Sequence, residues 1–115
     1  MHELALAEQI VQAGLRACGE HGDRMTAIAV QVGALSSVSP SALEFCLRAA
    51  LDSHGLTRAE ARISWIPARV RCQCGHEYAT EDMFAPCTRC GDYARQVVAG
   101  GDVIIEHVEV DDGED

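Results

Sequence analysis

Six cysteines occur in this chain, and four of them stand in two close pairs. Cys72 and Cys74 form the first pair, Cys87 and Cys90 form the second, and twelve residues separate the pairs. Two such knuckles joined by a hairpin-length loop can bring four thiolates into a tetrahedron, with each sulfur about 2.3 Å from a zinc ion. A glycine follows each pair and lets the backbone turn with positive φ beneath the metal. The spacing therefore predicts a tetrathiolate zinc site.

Other uses of these cysteines stay open from the sequence. A disulfide framework, a redox pair of Cys87 and Cys90 alone, and a rubredoxin-like iron site are alternatives to structural zinc. The first pair is CxC rather than CxxC, and His76 inside that knuckle is a candidate replacement ligand. Cys18 and Cys46 fall on or near predicted helix faces, which favours small core residues.

The amino-acid composition limits the classes of protein to which the chain can belong. The chain has 115 residues, which suits one domain or one domain with a small satellite. It is 48% hydrophobic but only 4% aromatic, so we expect a core of Leu, Ile, Val and Ala. A net charge of −9 without any lysine argues against a nucleic-acid partner. Four arginines flank the cysteine pairs, where they would offset the charge of a zinc tetrathiolate: Arg69, Arg71, Arg89 and Arg95.

The hydropathy pattern indicates where in the cell the protein is located. No run approaches the 18 or more apolar residues of a membrane span, so we expect no membrane partner. No basic stretch followed by an apolar one precedes a small-residue cleavage site. We therefore expect the chain to be cytoplasmic.

Hydrophobic periodicity, together with residues that break helices and strands, predicts the secondary-structure elements that must position the cysteines. Apolar spacing predicts helices over 4–18 and 36–55, the second with Ser39 as N-cap and Pro40 as its first residue. Alternation predicts strands over 26–33, 61–70 and 102–110, with Pro67 favouring an edge or a bulge. The prediction is a two-layer α/β domain of two helices on a three-stranded sheet, with a small zinc-ribbon-like insert.

Three stretches together resemble a known family. They are MHE at residues 1–3, VGALSSVSPSALEFCL at residues 32–47 and the two-pair cysteine insert. These are similar to the hydrogenase maturation nickel metallochaperones, the HypA/HybF family, from Met1 to about Val110. The resemblance implies a nickel-binding α/β domain over 1–70 plus 100–110 and a zinc-binding domain over 71–99. An acidic tail at 111–115 follows.

The resemblance also implies a function. Ni(II) would be the cargo and Zn(II) a structural ion. The nickel would be delivered to the large-subunit precursor of a [NiFe]-hydrogenase, together with a nickel-handling GTPase. At the matching positions His2 is a nickel ligand and Glu3 its neighbour in the nickel site. The zinc ligands match Cys72, Cys74, Cys87 and Cys90.

The first residues support a nickel site on chemical grounds as well. The α-amine of Met1, the deprotonated amide nitrogen of His2 and its imidazole Nδ1 can close adjacent five- and six-membered chelate rings. Three nitrogens held in a plane suit Ni(II) or Cu(II). The amide of Glu3, its carboxylate or another side chain can complete the coordination shell.

Two other classes of function are kept as alternatives. One is a zinc-ribbon adaptor that binds proteins without delivering nickel. The other is a thiol-disulfide enzyme, which needs an accessible cysteine of low pKa. The sequence contains no arrangement of nucleophile and base and no phosphate-binding loop, so we expect no enzyme activity.

Overall fold

The computed structural model describes residues 3–82 and 84–111, apart from the side chain of Arg95. Over these residues the chain folds into two three-stranded sheets, with two α-helices against the first. The elements in order are α1 (Glu3–Cys18), a 3-10 helix (Gly19–Arg24), β1 (Met25–Gly33), α2 (Pro40–Ser53), β2 (Glu60–Ile66), β3 (Ala68–Cys72), β4 (Glu77–Thr80), β5 (Ala94–Ala99) and β6 (Val103–Val110).

The first sheet has the strand order β2-β1-β6. β2 runs parallel to β1, and β6 runs antiparallel to it. Parallel neighbours need a crossover connection, and α2 supplies it, so that β1, α2 and β2 form a βαβ unit. α1 packs against β1 and β6, and α2 packs against β2 and α1. The two-layer α/β architecture expected from the sequence is confirmed.

The main core lies between the helices and one face of this sheet. On α2, Leu43, Leu47 and Leu51 are fully buried at intervals of one helical turn. Ile28 and Val30 of β1 meet them from the sheet. All fourteen buried members of this cluster are aliphatic or Met, as the low aromatic content predicts.

The start of α2 is fixed by its sequence. Ser39 is the N-cap, and its Oγ accepts a hydrogen bond from the N–H of Ala42 at 3.3 Å. Pro40 occupies the first helical position, where its missing N–H has no intrahelical role. The helix ends at Ser53, two residues before Gly55, whose φ is +78°. The predicted cap is confirmed, and the residues before Ser39 form a turn rather than helix.

The strand predicted over 61–70 is wrong in one respect. It is two strands in two different sheets, because Pro67 separates β2 from β3. Proline lacks an N–H and cannot continue a ladder of hydrogen bonds. Here it marks the passage of the chain from one sheet to the next, rather than an edge or a bulge within one strand.

The second sheet has the strand order β4-β3-β5, with β3 antiparallel to both neighbours. Its core is small and consists of four buried residues: Val70, Cys72, Tyr78 and Cys87. Leu35, from the loop between β1 and α2, packs against this cluster. Two of the four buried side chains are thus cysteines of the predicted metal site.

Backbone hydrogen bonds tie the end of β1 and the loop after it to the turn between β5 and β6, where the chain passes between the sheets. The N–H of Gly33 donates to the carbonyl of Asp102 at 3.0 Å, and the N–H of Leu35 donates to the carbonyl of Gly100, also at 3.0 Å. A Cβ at Gly33 would lie 2.3 Å from the carbonyl oxygen of Gly100. Glycine is therefore required here by the close approach of two backbone segments.

The division into a nickel-binding and a zinc-binding domain stays a prediction. Of the acidic tail, residues 112–115 lie outside the described residues. Within residues 3–82 and 84–111, no helix combines the length and apolar character needed to cross a bilayer.

Candidate metal centre

The four paired cysteines converge at one end of the second sheet. Cys72 ends β3 and Cys74 lies in the turn that follows it, while Cys87 and Cys90 belong to the turn before β5. The Sγ atoms of Cys72 and Cys90 are 3.3 Å apart, and those of Cys74 and Cys87 are 3.8 Å apart. All four sulfurs lie within 4.8 Å of one another. Each contact joins one knuckle to the other.

These spacings fit a tetrahedral metal site. With zinc–sulfur bonds of about 2.3 Å, the edges of a tetrahedron of sulfurs are about 3.8 Å long. The Cys74–Cys87 sulfur distance of 3.8 Å equals that edge, the Cys72–Cys90 distance of 3.3 Å is shorter, and no two sulfurs are more than 4.8 Å apart. The four cysteines therefore have the ligand type and the spacing that a structural zinc ion requires.

The two knuckles share one backbone design. Gly75 has a φ of +92° and Gly91 a φ of +79°, as the sequence predicts. The N–H of Gly75 donates to the carbonyl of Cys72, and the N–H of Gly91 donates to the carbonyl of Cys87, both at 2.9 Å. A Cβ at either glycine would meet no atom within 4 Å. The need for glycine is thus conformational rather than steric.

The CxC spacing of the first pair is accommodated by β3. Because Cys72 still belongs to the strand, its side chain is buried, whereas Cys74 is exposed in the turn. The N–H of Cys72 donates to the carbonyl of His76 at 3.0 Å and closes the turn around Cys74. The second pair has the same mixture, with Cys87 buried and Cys90 exposed.

The thiols of the cluster influence one another's ionisation. Burial raises the pKa of Cys87, but hydrogen bonds from the backbone of Cys90 and Arg89 and from neighbouring thiols outweigh burial and lower the pKa to about 7. The backbone of Asp92 lowers the pKa of Cys90, but neighbouring thiols and burial outweigh it and raise the pKa to about 12. Four thiols this close cannot all ionise without a cation among them. A divalent metal would remove that competition as it displaces the protons.

His76 is placed away from the sulfurs. Its Nε2 makes a hydrogen bond with Oγ1 of Thr88 at 3.1 Å, and its ring stacks on Tyr78 with the centroids 5.9 Å apart. Among the described residues, the cluster of potential metal ligands contains the four cysteines and no histidine. His76 instead links the two knuckles through Thr88.

The arginines of this region have a more specific arrangement than the sequence suggests. Arg71 pairs with Glu77 across the β3–β4 ladder at 2.5 Å, and Arg69 approaches the same carboxylate at 3.8 Å. Arg71 also donates to Oε1 of Gln96 on β5 at 3.0 Å. These contacts lower the pKa of Glu77, with the hydrogen bond from Arg71 as the largest cause. Arg71 thus links all three strands of the second sheet, and Arg69 adds a second contact between β3 and β4.

The predicted nickel ligands are only partly described. Met1 and His2 lie outside the described residues, and Glu3 is the first residue of α1. Oε2 of Glu3 accepts a hydrogen bond from the N–H of Ser39, at the start of α2, at 3.2 Å. Sequence reasoning missed this contact because it joins residues that are 36 positions apart and no periodicity relates them.

One known protein family matches nearly the whole chain. A family model described as hydrogenase/urease nickel incorporation, metallochaperone, hypA, matches residues 1–110. The chain belongs to this HypA family. The match includes the first three residues and both cysteine pairs, so the resemblance noted from the sequence is confirmed.

Curated relatives agree with this assignment. The chain is 34% identical over 112 residues to the hydrogenase maturation factor HypA of Geobacter metallireducens, covering 96% of this chain and 100% of the relative. It is 37% identical over 115 residues to the factor of the same name from Rhodopseudomonas palustris strain BisB5, with the same coverage. The family is thus one of nickel metallochaperones that serve hydrogenase maturation.

Solved structures of similar fold support the architecture. The solution structure of the Ni metallochaperone HypA from Helicobacter pylori superimposes with a TM-score of 0.68 and covers 96% of this chain and 97% of that one. The sequence identity is 15%, so this likeness concerns the fold.

Proposed function

We propose that the chain binds Ni(II) at its N-terminus and delivers it to the large-subunit precursor of a [NiFe]-hydrogenase. The observation that carries the proposal is the family match over residues 1–110, which includes the sequence Met1-His2-Glu3. The amine of Met1, together with the amide and imidazole nitrogens of His2, would hold the metal in a plane. Such a site at a chain end is exposed, which suits a cargo that must be handed on.

The second metal in the proposal is a structural zinc ion. Cys72, Cys74, Cys87 and Cys90 would hold it, and it would supply folding energy to a sheet with a small core. A closed set of four thiolates leaves no position open for a substrate. For this reason we assign the cysteines a structural role and propose no enzyme activity for the chain.

The proposed partners are a nickel-handling GTPase of hydrogenase maturation and the hydrogenase precursor, met in the cytoplasm. A surface that would suit a partner lies beside the nickel end, where Leu4 keeps 65% of its surface exposed. It borders an apolar groove of about 510 Å³ between α1 and α2. The groove is lined by Leu4, Ala5, Glu8, Ala49, Ala50 and Ser53.

Nickel titration of the untagged protein by calorimetry tests the metal site. We expect His2→Ala, and separately an extension of two residues before Met1, to abolish high-affinity binding while zinc content and helical signal stay unchanged. The extension is the sharper change because it moves only the α-amine. His21→Ala is the matched control, because His21 lies beyond the opposite end of α1. Undiminished affinity in the extended protein would refute the N-terminal chelate.

The pH dependence of nickel affinity offers a second test of the same site. An α-amine ordinarily titrates near pH ~7.7 and an imidazole near ~6.5, so protons compete with nickel for both nitrogens. Nickel affinity should fall steeply as the pH is lowered from about 7.5 to about 6. The zinc content should change less over this interval.

The alternative function is a zinc-ribbon adaptor that binds proteins without carrying nickel. The two functions differ in how partner binding responds to metal. We expect binding to the GTPase in the micromolar range or weaker, responsive to nickel, and weakened further by Leu4→Asp. Binding that is tight, indifferent to nickel and unaffected by His2→Ala would favour the adaptor.

A further inference from the structure

The contact between Glu3 and Ser39 completes a helix cap in an unusual way. In a capping box, the N-cap side chain bonds the N–H of the third helical residue, and a Glu or Gln at that third position bonds the N-cap N–H in return. Ser39 makes the first of these bonds, to Ala42. Ala42 occupies the third position and has no side-chain acceptor for the second. Glu3 provides it from α1, with Oε2 3.2 Å from the N–H of Ser39.

The loop that leads to Ser39 is hydrogen-bonded to the ends of strands from both sheets. The N–H of Ala34 donates to the carbonyl of Ile66 at the end of β2, at 2.9 Å. The N–H of Leu35 donates to the carbonyl of Gly100, just after β5, at 3.0 Å. Ser39 therefore presents its N–H from a fixed position relative to both sheets.

We propose that Ser39 is a positioning residue for the nickel-binding terminus. Its N–H holds the carboxylate of Glu3, the residue to which the proposed chelate is joined, beside the start of α2. Consecutive Cα atoms are about 3.8 Å apart, so this anchor is only one or two residues away along the chain from the proposed nickel ligands. Confinement before binding lowers the conformational entropy lost when the chelate closes. The inference rests on the proposed nickel function and names Ser39 and Glu3 as the residues that position that site.

Two substitutions at position 39 isolate the N–H. Ser39→Pro removes both the N–H and the cap hydroxyl, and the backbone angles of Ser39, φ −77° and ψ 119°, already suit proline. Ser39→Ala removes the hydroxyl and keeps the N–H. The ratio of the nickel affinities of these two variants therefore measures the effect of the N–H alone. We expect Ser39→Pro to bind nickel about three- to tenfold more weakly than Ser39→Ala, the effect of losing one hydrogen bond. In a Glu3→Ala background the ratio should fall to about one, because the acceptor is gone.

A third substitution reaches the same contact without removing any group. Ala42→Glu places a carboxylate at the third helical position, where it competes with Glu3 for the N–H of Ser39. Nickel affinity should fall about three- to tenfold relative to Ala42→Lys, which offers no acceptor. The midpoint of thermal unfolding should not fall, because the helix gains a local cap. If Glu3 had a purely structural role, nickel affinity would not fall while the midpoint of thermal unfolding stays the same.

The outcomes separate this inference from the proposed function. If His2→Ala abolishes nickel binding while Ser39→Pro and Ala42→Glu bind as tightly as their controls, the positioning role is wrong and the nickel site stands. If His2→Ala leaves nickel binding intact, the nickel site itself is wrong. Zinc content and the helical signal of each variant report whether it folds, and Ala42→Glu decides the question if Ser39→Pro does not.

Discussion

Removing one zinc-site thiolate should unfold the second sheet and leave the first intact. The perturbation is Cys87→Ala or, separately, Cys90→Ala. Ala68 of β3 is one small buried side chain, and besides its two cysteines the core cluster of the second sheet has only Val70 and Tyr78 as buried members among the described residues. Burying such a side chain contributes about 1.5–3 kcal/mol. A structural zinc ion contributes about 10–16 kcal/mol in small zinc-dependent units, so the zinc ion that we propose would be by far the larger contribution.

The first sheet has an independent source of stability. Its core contains fourteen buried residues, and Leu43, Leu47 and Leu51 are completely enclosed. Among the described residues, this core cluster is separate from the cluster that contains Cys72 and Cys87. The helices should therefore survive the loss of zinc.

Amide hydrogen exchange and zinc content measured on the same samples test this reasoning. In both cysteine variants we expect protection to be lost in β3, β4 and β5 and retained in β1, α1 and α2. Cys46→Ala is the matched control, since Cys46 packs against the main core and is far from the cluster in sequence. It should keep one zinc per chain. The tetrathiolate assignment fails if both Cys87→Ala and Cys90→Ala retain full zinc and normal protection of β3.

Two further predictions concern the first sheet with its helices and the junction between the sheets. Gly33→Ala should lower the free energy of unfolding by about 1–3 kcal/mol, measured by urea denaturation, because its Cβ would overlap the backbone of Gly100; an unchanged free energy of unfolding would show that the junction can relax. Glu8 accepts a hydrogen bond from His54 at 2.7 Å, which lowers the pKa of Glu8. The stability that this gives is present above pH 4.5, the ordinary value, and is lost as the pH falls through the lowered pKa. Acid titration of unfolding should accordingly show a smaller loss of stability below pH 4.5 in Glu8→Gln than in the unchanged chain, and identical curves would contradict the role of this pair.

The sequence was informative wherever a local rule applied. The cap at Ser39, the turn glycines and the pairing of the cysteines follow from short-range chemistry, and the structure places them as expected. The small size of the second core is also consistent with an insert whose strands are only four to six residues long. Such short strands carry too few alternating positions for periodicity to reveal them.

The features that the sequence did not reveal depend on the chain as a whole. Pro67 is compatible with a bulge, an edge or a break, and only the pairing of β2 and β3 with different partners decides among them. The contact between Glu3 and Ser39 joins two helices whose mutual orientation is set by packing of the core. Proximity in sequence suggests that Arg69 and Arg71 offset the charge of the metal site, but both contact Glu77, because the ladder places Glu77 directly opposite Arg71 and diagonal to Arg69.

The order of the strands has a consequence for how the chain reaches its native state. β6 pairs with β1, yet residues 67–102, which contain the entire second sheet, separate β6 from β2. Closing a loop costs conformational entropy that grows with its length, by about 0.6 kcal/mol for each doubling. A metal ion that joins Cys72 to Cys90 would shorten this loop to roughly half, and so would lower the cost by about the same amount. If the inserted sheet binds its metal before β6 pairs with β1, the entropic cost of that pairing is lower, so metal supply would affect a strand that contains none of the metal ligands.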